Sequence, residues 1–276
     1  MNHTTIEPLI ANVGDMALKR RLKTIIGRLD LSSPGAILDL GCGDGMYLMV
    51  ISHLGKRGLV GYDIDFGSLQ LARRVIAPLS KTRLINGAAN VLPYKDMSFD
   101  VVYASEVLEH LRDDRGALSE IRRVLKPDGR LLVTVPNARY PFFWDPVNWL
   151  FEHIFGFHIR SGFFAGLWNM HLRLYRPEDL SLLIQQAGFE IRDIRALTHY
   201  CVPFSHYIIN GLRRVLDMGI LPKTIQSGGN KFAVKECGKK GIVHKVYAFL
   251  DRLDRANDNV PAGCSSVSIF VEAVKR

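Results

Sequence analysis

Residues 37–45 read ILDLGCGDG, and this stretch decides the fold. Residues 37–40 are apolar apart from Asp39 and predict a short buried strand. Three alternate glycines follow, and a helical pattern begins directly at Met46. Glycines between a strand and a helix let the backbone approach a ligand without a Cβ in the way. Position 46 is Met, so the dinucleotide spacing G-x-G-x-x-G is absent, as is the triphosphate loop G-x-x-x-x-G-K-[ST]. The stretch therefore predicts a binding turn for a different small ligand.

Strand patterns recur along the chain and alternate with helical patterns. The first five strands are predicted near 36–40, 58–63, 82–86, 99–104 and 129–135. A sixth strand is predicted after Gly188, and a last one from Ser266 to Val274. Strands separated by helices form a parallel sheet with helices on both faces. The sequence therefore predicts an α/β, doubly wound, Rossmann-like fold.

Four motifs in order carry a resemblance to a known family. They are D-x-G-x-G-x-G at 39–45, an acid at Asp63 after the second strand, INGAANVLPYKDMSFDVVYASEVLEHL at 85–111 and LKPDGRLLVTVPN at 125–137. Together they resemble the small-molecule branch of the class I S-adenosylmethionine-dependent methyltransferases, in particular the ubiquinone-biosynthesis O-methyltransferases. The resemblance covers about Ala36 to Phe189 and resumes at the last strand, and it implies a mostly parallel seven-stranded sheet with an antiparallel last strand. The length predicts one methyltransferase domain over residues 1–276, with helical insertions as an elaborated edge or a small appendage.

The same resemblance implies S-adenosyl-L-methionine as cofactor and indicates which residues hold it. A carboxylate at Asp63 can accept both hydroxyls of a ribose. One position departs from the family, because Ala88 stands where an acid usually accepts the adenine amino group; Asn90 or the backbone near 88–89 could replace it. The predicted cofactor-binding residues are Asp39, Gly41, Cys42, Gly43, Asp63, Ile64, Ala88, Ala89, Ser105 and Glu106.

The run E-x-x-E-H supplies the predicted chemistry. Offsets of three and four would place Glu106, Glu109 and His110 on one side of a helical turn. Glu109 and His110 are the predicted catalytic residues, with His110 as general base because its ordinary pKa is close to neutral. With His171 added, the set is similar to metal-dependent O-methyltransferases that act on neighbouring hydroxyls. This similarity implies that Glu106, Glu109, His110 and His171 could bind Mg²⁺, Mn²⁺ or Zn²⁺; a metal-free base stays open.

Two segments extend beyond the family pattern. Residues 140–170 are dense in aromatic side chains and predict a lid insertion, with a helix from Val147 to Phe157 that is apolar except for a stripe of Asn148 and Glu152. Residues 199–264 predict a helical insertion before the last strand, with helices near 204–218 and 242–253 and a lysine-rich connector. An apolar lid predicts a hydrophobic or lipid-linked substrate, or a patch that contacts a membrane.

Charge and cysteine usage limit the partners and the compartment. The net charge of +9 favours an anionic partner, which we expect to be an anionic membrane surface rather than a nucleic acid. The four cysteines form no C-x-x-C pair, which disfavours a zinc site and a disulfide framework. The sequence also begins without a signal-peptide pattern, so a cytoplasmic protein, peripheral on the inner membrane face, is predicted.

The function predicted from these observations is O-methylation of a hydrophobic or lipid-linked small molecule. One alternative is 2′-O-methylation of RNA, which the charge and the E-x-x-E-H run permit. Another is a catalytically inactive partner subunit that binds the cofactor, which Ala88 favours and the intact glycine turn opposes.

Overall fold

The computed structural model describes residues 6–32, 34–55, 58–79, 82–204, 207, 211, 231–232, 242–258 and 265–276. They divide into two compact units, each described by itself below. The first comprises residues 1–20, 136–174 and 196–268, and the second residues 21–135, 175–195 and 269–276. Most of the predicted helix at 204–218, the connector and two cysteines, Cys237 and Cys264, lie outside the described residues. The predicted single domain over residues 1–276 stays a prediction.

A seven-stranded sheet forms the centre of the second unit. Its strands are β1 (Ile37–Leu40), β2 (Leu59–Asp63), β3 (Arg83–Asn86), β4 (Phe99–Ser105), β5 (Leu125–Pro136), β6 (Phe189–Leu197) and β7 (Ser268–Lys275). The strand order is β3-β2-β1-β4-β5-β7-β6, and β7 is antiparallel. β1 pairs in parallel with β2 and β4, so the chain reverses its winding direction at β1. This arrangement confirms the predicted fold class and places the end of β1 where such sheets bind ligands.

The helices follow the predicted alternation. They are α1 (Glu7–Ile10), α2 (Met16–Arg28), α3 (Met46–His53), α4 (Phe66–Ile76), α5 (Asp114–Val124), α6 (Pro146–Phe155), α7 (Pro177–Gln186) and α8 (Ile242–Asp254). Carboxylates cap two of them: Asp65 accepts hydrogen bonds at the start of α4, and Asp113 at the start of α5. In the second unit, apolar residues of the strands, α5 and α7 form one continuous core. No described helix is long and apolar enough to cross a membrane.

The first unit has a smaller core and a buried polar centre. Tyr140, Trp144 and Leu167 pack together in that core. Beside them, the buried carboxylate of Asp145 accepts hydrogen bonds from the Asn148 amide and from the Leu167 backbone, at 2.9 and 2.8 Å. The carboxylate therefore ties the start of α6 to the segment that follows the helix.

This polar centre corrects the predicted pattern of the aromatic helix. The helix ends at Phe155 because Gly156 takes a left-handed conformation, with φ of 72°. Asn148 is fully buried rather than part of a surface stripe. Apart from His153, the side chains that α6 exposes are instead apolar: Leu150, Ile154 and Phe155.

Candidate active site

The three glycines of the turn after β1 differ in how closely other atoms surround them. A Cβ on Gly41 would lie 2.3 Å from Cγ2 of Val107, and one on Gly45 would lie 2.9 Å from Cβ of Ala72. These two glycines permit close packing. A Cβ on Gly43, where φ is 51°, would have no atom within 4 Å. Gly43 therefore presents bare backbone to open space, which is the cradle that a bound ligand requires.

Asp63 at the end of β2 is connected to that cradle. Its Oδ2 accepts a hydrogen bond from the Gly43 backbone at 2.7 Å, and its Oδ1 accepts one from the Asp65 backbone at 2.8 Å. Each carboxylate oxygen can accept a second bond, so the group remains able to bind a diol. The next side chain, Ile64, is 73% exposed beside it. An apolar side chain there offers a surface for a flat ring.

Side-chain-to-backbone hydrogen bonds join β2 to the end of β3 and to the segment after it. The Asn86 amide donates to the carbonyl oxygens of Asp63 and Ile64, at 2.9 and 2.8 Å. The Tyr62 hydroxyl donates to the Ala88 carbonyl at 3.2 Å. Ala88 and Ala89 are half-buried, whereas Asn90 is exposed. The side chain available to replace the missing acid is therefore that of Asn90.

Asp39 and Cys42 lie beneath the turn rather than facing solvent. Burial raises the pKa of the Asp39 carboxyl well above its usual range, and the nearby Tyr103 hydroxyl offsets this effect only in part. Burial, and then the Asp39 charge, raises the pKa of the Cys42 thiol. A Cβ on Gly61 would lie 3.0 Å from the Cys42 sulfur, so the thiol packs tightly against β2. Both residues shape the turn from below.

The end of β4 brings further polar groups to the same edge of the sheet. The Ser105 hydroxyl lies 2.9 Å from that of Tyr47 and 2.9 Å from that of Thr134. The next residue, Glu106, has a φ of 57°, a strained conformation for a residue with a side chain. Its Oε2 lies 3.4 Å from Nη1 of Arg21.

Three residues of this group, Arg21, Tyr47 and Thr134, were not predicted as site residues from the sequence. Arg21 belongs to a run of basic residues that the sequence indicates only as a charged helix face. Tyr47 stands in the first turn after the glycines, which is the one signal that could have identified it.

Glu109 and His110 lie on a single 3₁₀ turn, Leu108–His110. The predicted helical turn through all three E-x-x-E-H positions is wrong, because the left-handed backbone at Glu106 precedes this turn. Glu109 is 0% exposed and the His110 side chain is 40% exposed, and Oε1 of Glu109 lies 3.8 Å from Nε2 of His110. Burial, and then the Glu106 charge, raises the pKa of Glu109 well above its usual range. His171 belongs to the first unit, so the four-residue metal set stays a prediction.

Comparisons with known proteins agree with this geometry. Residues 38–133 match the methyltransferase domain family. O-methyltransferase cnsE of Penicillium expansum is 30% identical over 178 residues, which are 63% of this chain and 59% of that protein. Demethylmenaquinone methyltransferase of Lactiplantibacillus plantarum is 29% identical over 181 residues, 61% of this chain and 76% of that protein. These matches support a class I S-adenosylmethionine-dependent methyltransferase.

A solved structure extends the likeness of this methyltransferase over most of its length. An S-adenosylmethionine-dependent methyltransferase from Mesorhizobium loti matches with a TM-score of 0.54 and 15% identity, covering 96% of this chain and 100% of that one. At that identity the match shows the fold alone. The chain spans 59%, 46% and 62% of the length of the first curated relatives. The methyl acceptor is therefore inferred from the chemistry of this chain and not from its relatives.

Proposed function

We propose that this chain transfers a methyl group from S-adenosyl-L-methionine to an oxygen of a hydrophobic or lipid-linked small molecule. The proposal rests on the open backbone of Gly43, whose N–H donates a hydrogen bond to Oδ2 of Asp63 at 2.7 Å. A preformed turn of this kind binds a nucleoside without a rearrangement. The match to curated O-methyltransferases supports oxygen as the methylated atom.

The residues of the crevice would bind the cofactor in parts. Asp63 accepts the ribose hydroxyls, Ile64 packs on the adenine, and Asn90 or the backbone at 88–89 meets the adenine amino group. Arg21 and Glu106 complement an amino-acid group, since they offer opposite charges side by side. The cofactor, when bound, supplies an electrophilic methyl group on a sulfonium. The protein orients it and excludes water.

His110 would accept the proton from the acceptor hydroxyl. Its side chain is reachable, whereas Glu109 is enclosed beside it. A raised pKa favours the neutral form of Glu109, whose carbonyl oxygen can accept a hydrogen bond from the Nε2–H of His110 and leave Nδ1 to take the proton. In this proposal His110 is the base and Glu109 is a positioning residue.

A divalent ion is a second route to the same proton. A carboxylate and an imidazole on one turn are a partial donor set for Mg²⁺, Mn²⁺ or Zn²⁺. Glu106 is the weaker member of the proposed set because its carboxylate lies beside Arg21. Activity measured with and without a chelator separates the two routes.

The aromatic insertion, residues 140–170, supports the hydrophobic acceptor. Its exposed large apolar side chains include Phe142, Phe143, Leu150, Ile154, Phe155, Phe157, Phe163 and Phe164. So large an apolar surface is typical of a protein that meets a membrane or a greasy ligand. We propose peripheral contact with an anionic membrane on its inner face, where the net charge of +9 adds attraction.

The test is methyl transfer from radiolabelled S-adenosylmethionine to three acceptors. These are a catechol with an isoprenoid tail, the same catechol without the tail, and a short RNA duplex. We expect label in the tailed catechol, with less in the tailless one and none in RNA. Label in RNA alone would replace the proposal with the RNA alternative. Cofactor binding without transfer to any acceptor would favour the inactive partner subunit.

A further inference from the structure

A second cavity lies at the opposite end of the sheet from the glycine turn. Its volume is about 540 Å³, and the residues around it precede β4 and β5 or lie on α5, α7 and the end of β7. β4 is seven residues long, which separates its two ends by about 20 Å. The cavity is therefore distinct from the cofactor crevice, and all of its residues belong to the second unit.

One face of α5 supplies most of the polar lining. Arg115, Ser119 and Arg122 line the cavity at offsets of four and three residues, which places them in one stripe along the helix. Lys275 at the end of β7, Gln186 of α7 and the ion pair of Arg123 with Asp96 complete the polar lining. Four of these seven side chains are cationic and one, Asp96, is anionic.

Three of the cations are not paired with an acidic side chain. Arg122 donates to the backbone oxygens of Gly188 and Arg276, and Lys275 donates to that of Leu125 at 2.6 Å. Within the part of the chain that the structure describes, no Asp or Glu side chain forms an ion pair with Arg115, Arg122 or Lys275. Burial, and then the charge of Arg122, lowers the pKa of Lys275, while the charge of Asp96 acts in the opposite direction. Arg122 and Lys275 therefore repel each other across the cavity.

A fourth cation shows the contrast. Arg123 also lines the cavity, but it donates to Glu120 and Asp96 and to the carbonyls of Leu92 and Tyr94. Its charge is balanced by these two carboxylates, and its hydrogen bonds hold the loop before β4. The charge of the other three cations remains available to a ligand.

We propose that this cavity binds a small phosphorylated anion. Asp96 is engaged by Arg123, so three cations without an acidic ion-pair partner, the Ser119 hydroxyl and the Gln186 amide can meet the several oxygens of a phosphoryl group, which prefers charged donors. A volume of about 540 Å³ is within the range of small-ligand sites and exceeds a single phosphate, so the ligand carries an organic part or a second phosphoryl group. The ligand is either soluble or the headgroup of a lipid.

Titration calorimetry with inorganic pyrophosphate tests the site. Saturating S-adenosylhomocysteine is added so that the probe cannot enter the glycine turn. Arg115→Gln is the chosen variant because its exposed side chain has no partner among the described residues. Arg74→Gln, an exposed arginine at the end of α4, removes the same charge elsewhere. Lys275→Met is a second variant, with its melting temperature measured alongside.

We expect saturable binding that Arg115→Gln and Lys275→Met each weaken by about threefold to tenfold, while Arg74→Gln leaves it unchanged. Vesicles with and without phosphatidic acid separate the two sources: a loss of vesicle binding in Arg115→Gln alone identifies a headgroup, and no loss identifies a soluble ligand. Absence of saturable pyrophosphate binding, or equal affinity in Arg115→Gln and Arg74→Gln, would overturn the proposal.

Discussion

Asp63 has two roles, because the carboxylate that should hold the ribose also anchors Gly43. Asp63→Ala removes charged hydrogen bonds of about 1.5–3 kcal/mol and should weaken S-adenosylmethionine binding roughly tenfold to a hundredfold. Asp65→Ala is the matched control: it removes the cap of α4 but leaves the backbone bond to Asp63 in place. The control should lose about 1 kcal/mol of stability and keep its affinity. Equal affinities in wild type and Asp63→Ala would remove Asp63 from the cofactor site.

His110 distinguishes the two routes of proton removal. If it acts as a metal-free base, His110→Ala should slow transfer by about 10²–10⁴-fold, and a chelator should have no effect. If a divalent ion is used, the chelator should abolish transfer and Mg²⁺, Mn²⁺ or Zn²⁺ should restore it. Cofactor affinity, measured by calorimetry, should stay near wild type in both cases. Transfer that survives both treatments would show that His110 and the metal are dispensable.

Glu109 makes stability depend on pH with a definite sign. Its pKa is raised in the folded protein, so its contribution to stability is complete below the ordinary value of about 4.3 and is lost as the pH rises. Glu109→Gln removes a group that is costly to ionise, so its melting temperature should rise relative to wild type as the pH increases from 4 to 8. Glu190→Gln should show the opposite sign, because Arg276 lowers the pKa of Glu190. If the difference in melting temperature between Glu109→Gln and wild type did not change with pH, a raised pKa of Glu109 would be contradicted.

At the scale of an element, α6 and the residue after its cap expose aromatic rings. Phe155 is 62% exposed and Phe157 51%, and both contact Phe151. The double variant Phe155→Ser with Phe157→Ser should therefore release the protein from anionic vesicles in a sedimentation assay, with little change in melting temperature.

The control for that experiment is a partly buried ring of the same helix. Trp149 stacks on His153 at 3.7 Å and packs on the small core of the first unit. Trp149→Ser should lower the melting temperature, because truncating a fully buried ring costs about 3–5 kcal/mol and a partly buried one a share of that. Vesicle binding retained by the phenylalanine variant would show that the exposed rings do not contact the membrane.

Sequence periodicity predicted the elements of the sheet better than those of the insertions. The first four strands begin within a residue of their predicted positions, since apolar runs between glycines leave few alternatives. β5 was misplaced: it begins at Leu125, four residues early, and a register shift opposite β4 accommodates the extra residues between Leu125 and Arg130. In α6, Asn148 faces inward, because Asp145 supplies a buried partner that a hydrophobicity pattern does not reveal.

For the molecule as a whole, motif spacing identified the cofactor turn but not the residues that surround it from distant segments. Gly43 and Asp63 were predictable because the chemistry needs a bare backbone and a carboxylate at consecutive strand ends. Arg21 and Thr134 were not, because distant segments bring them to Ser105 and Glu106. The cluster of cations around Lys275 is likewise invisible in the sequence, since it joins residues 160 positions apart.

The most direct test of the account is the rate of methyl transfer to a tailed catechol held in anionic vesicles. The amount of acceptor is kept constant while the amount of lipid is varied, so that only the surface concentration changes. The account predicts label in the lipid-soluble product and an initial rate that rises with surface concentration. Transfer that depends on the bulk concentration alone, or no transfer by a protein that binds S-adenosylmethionine, would contradict it.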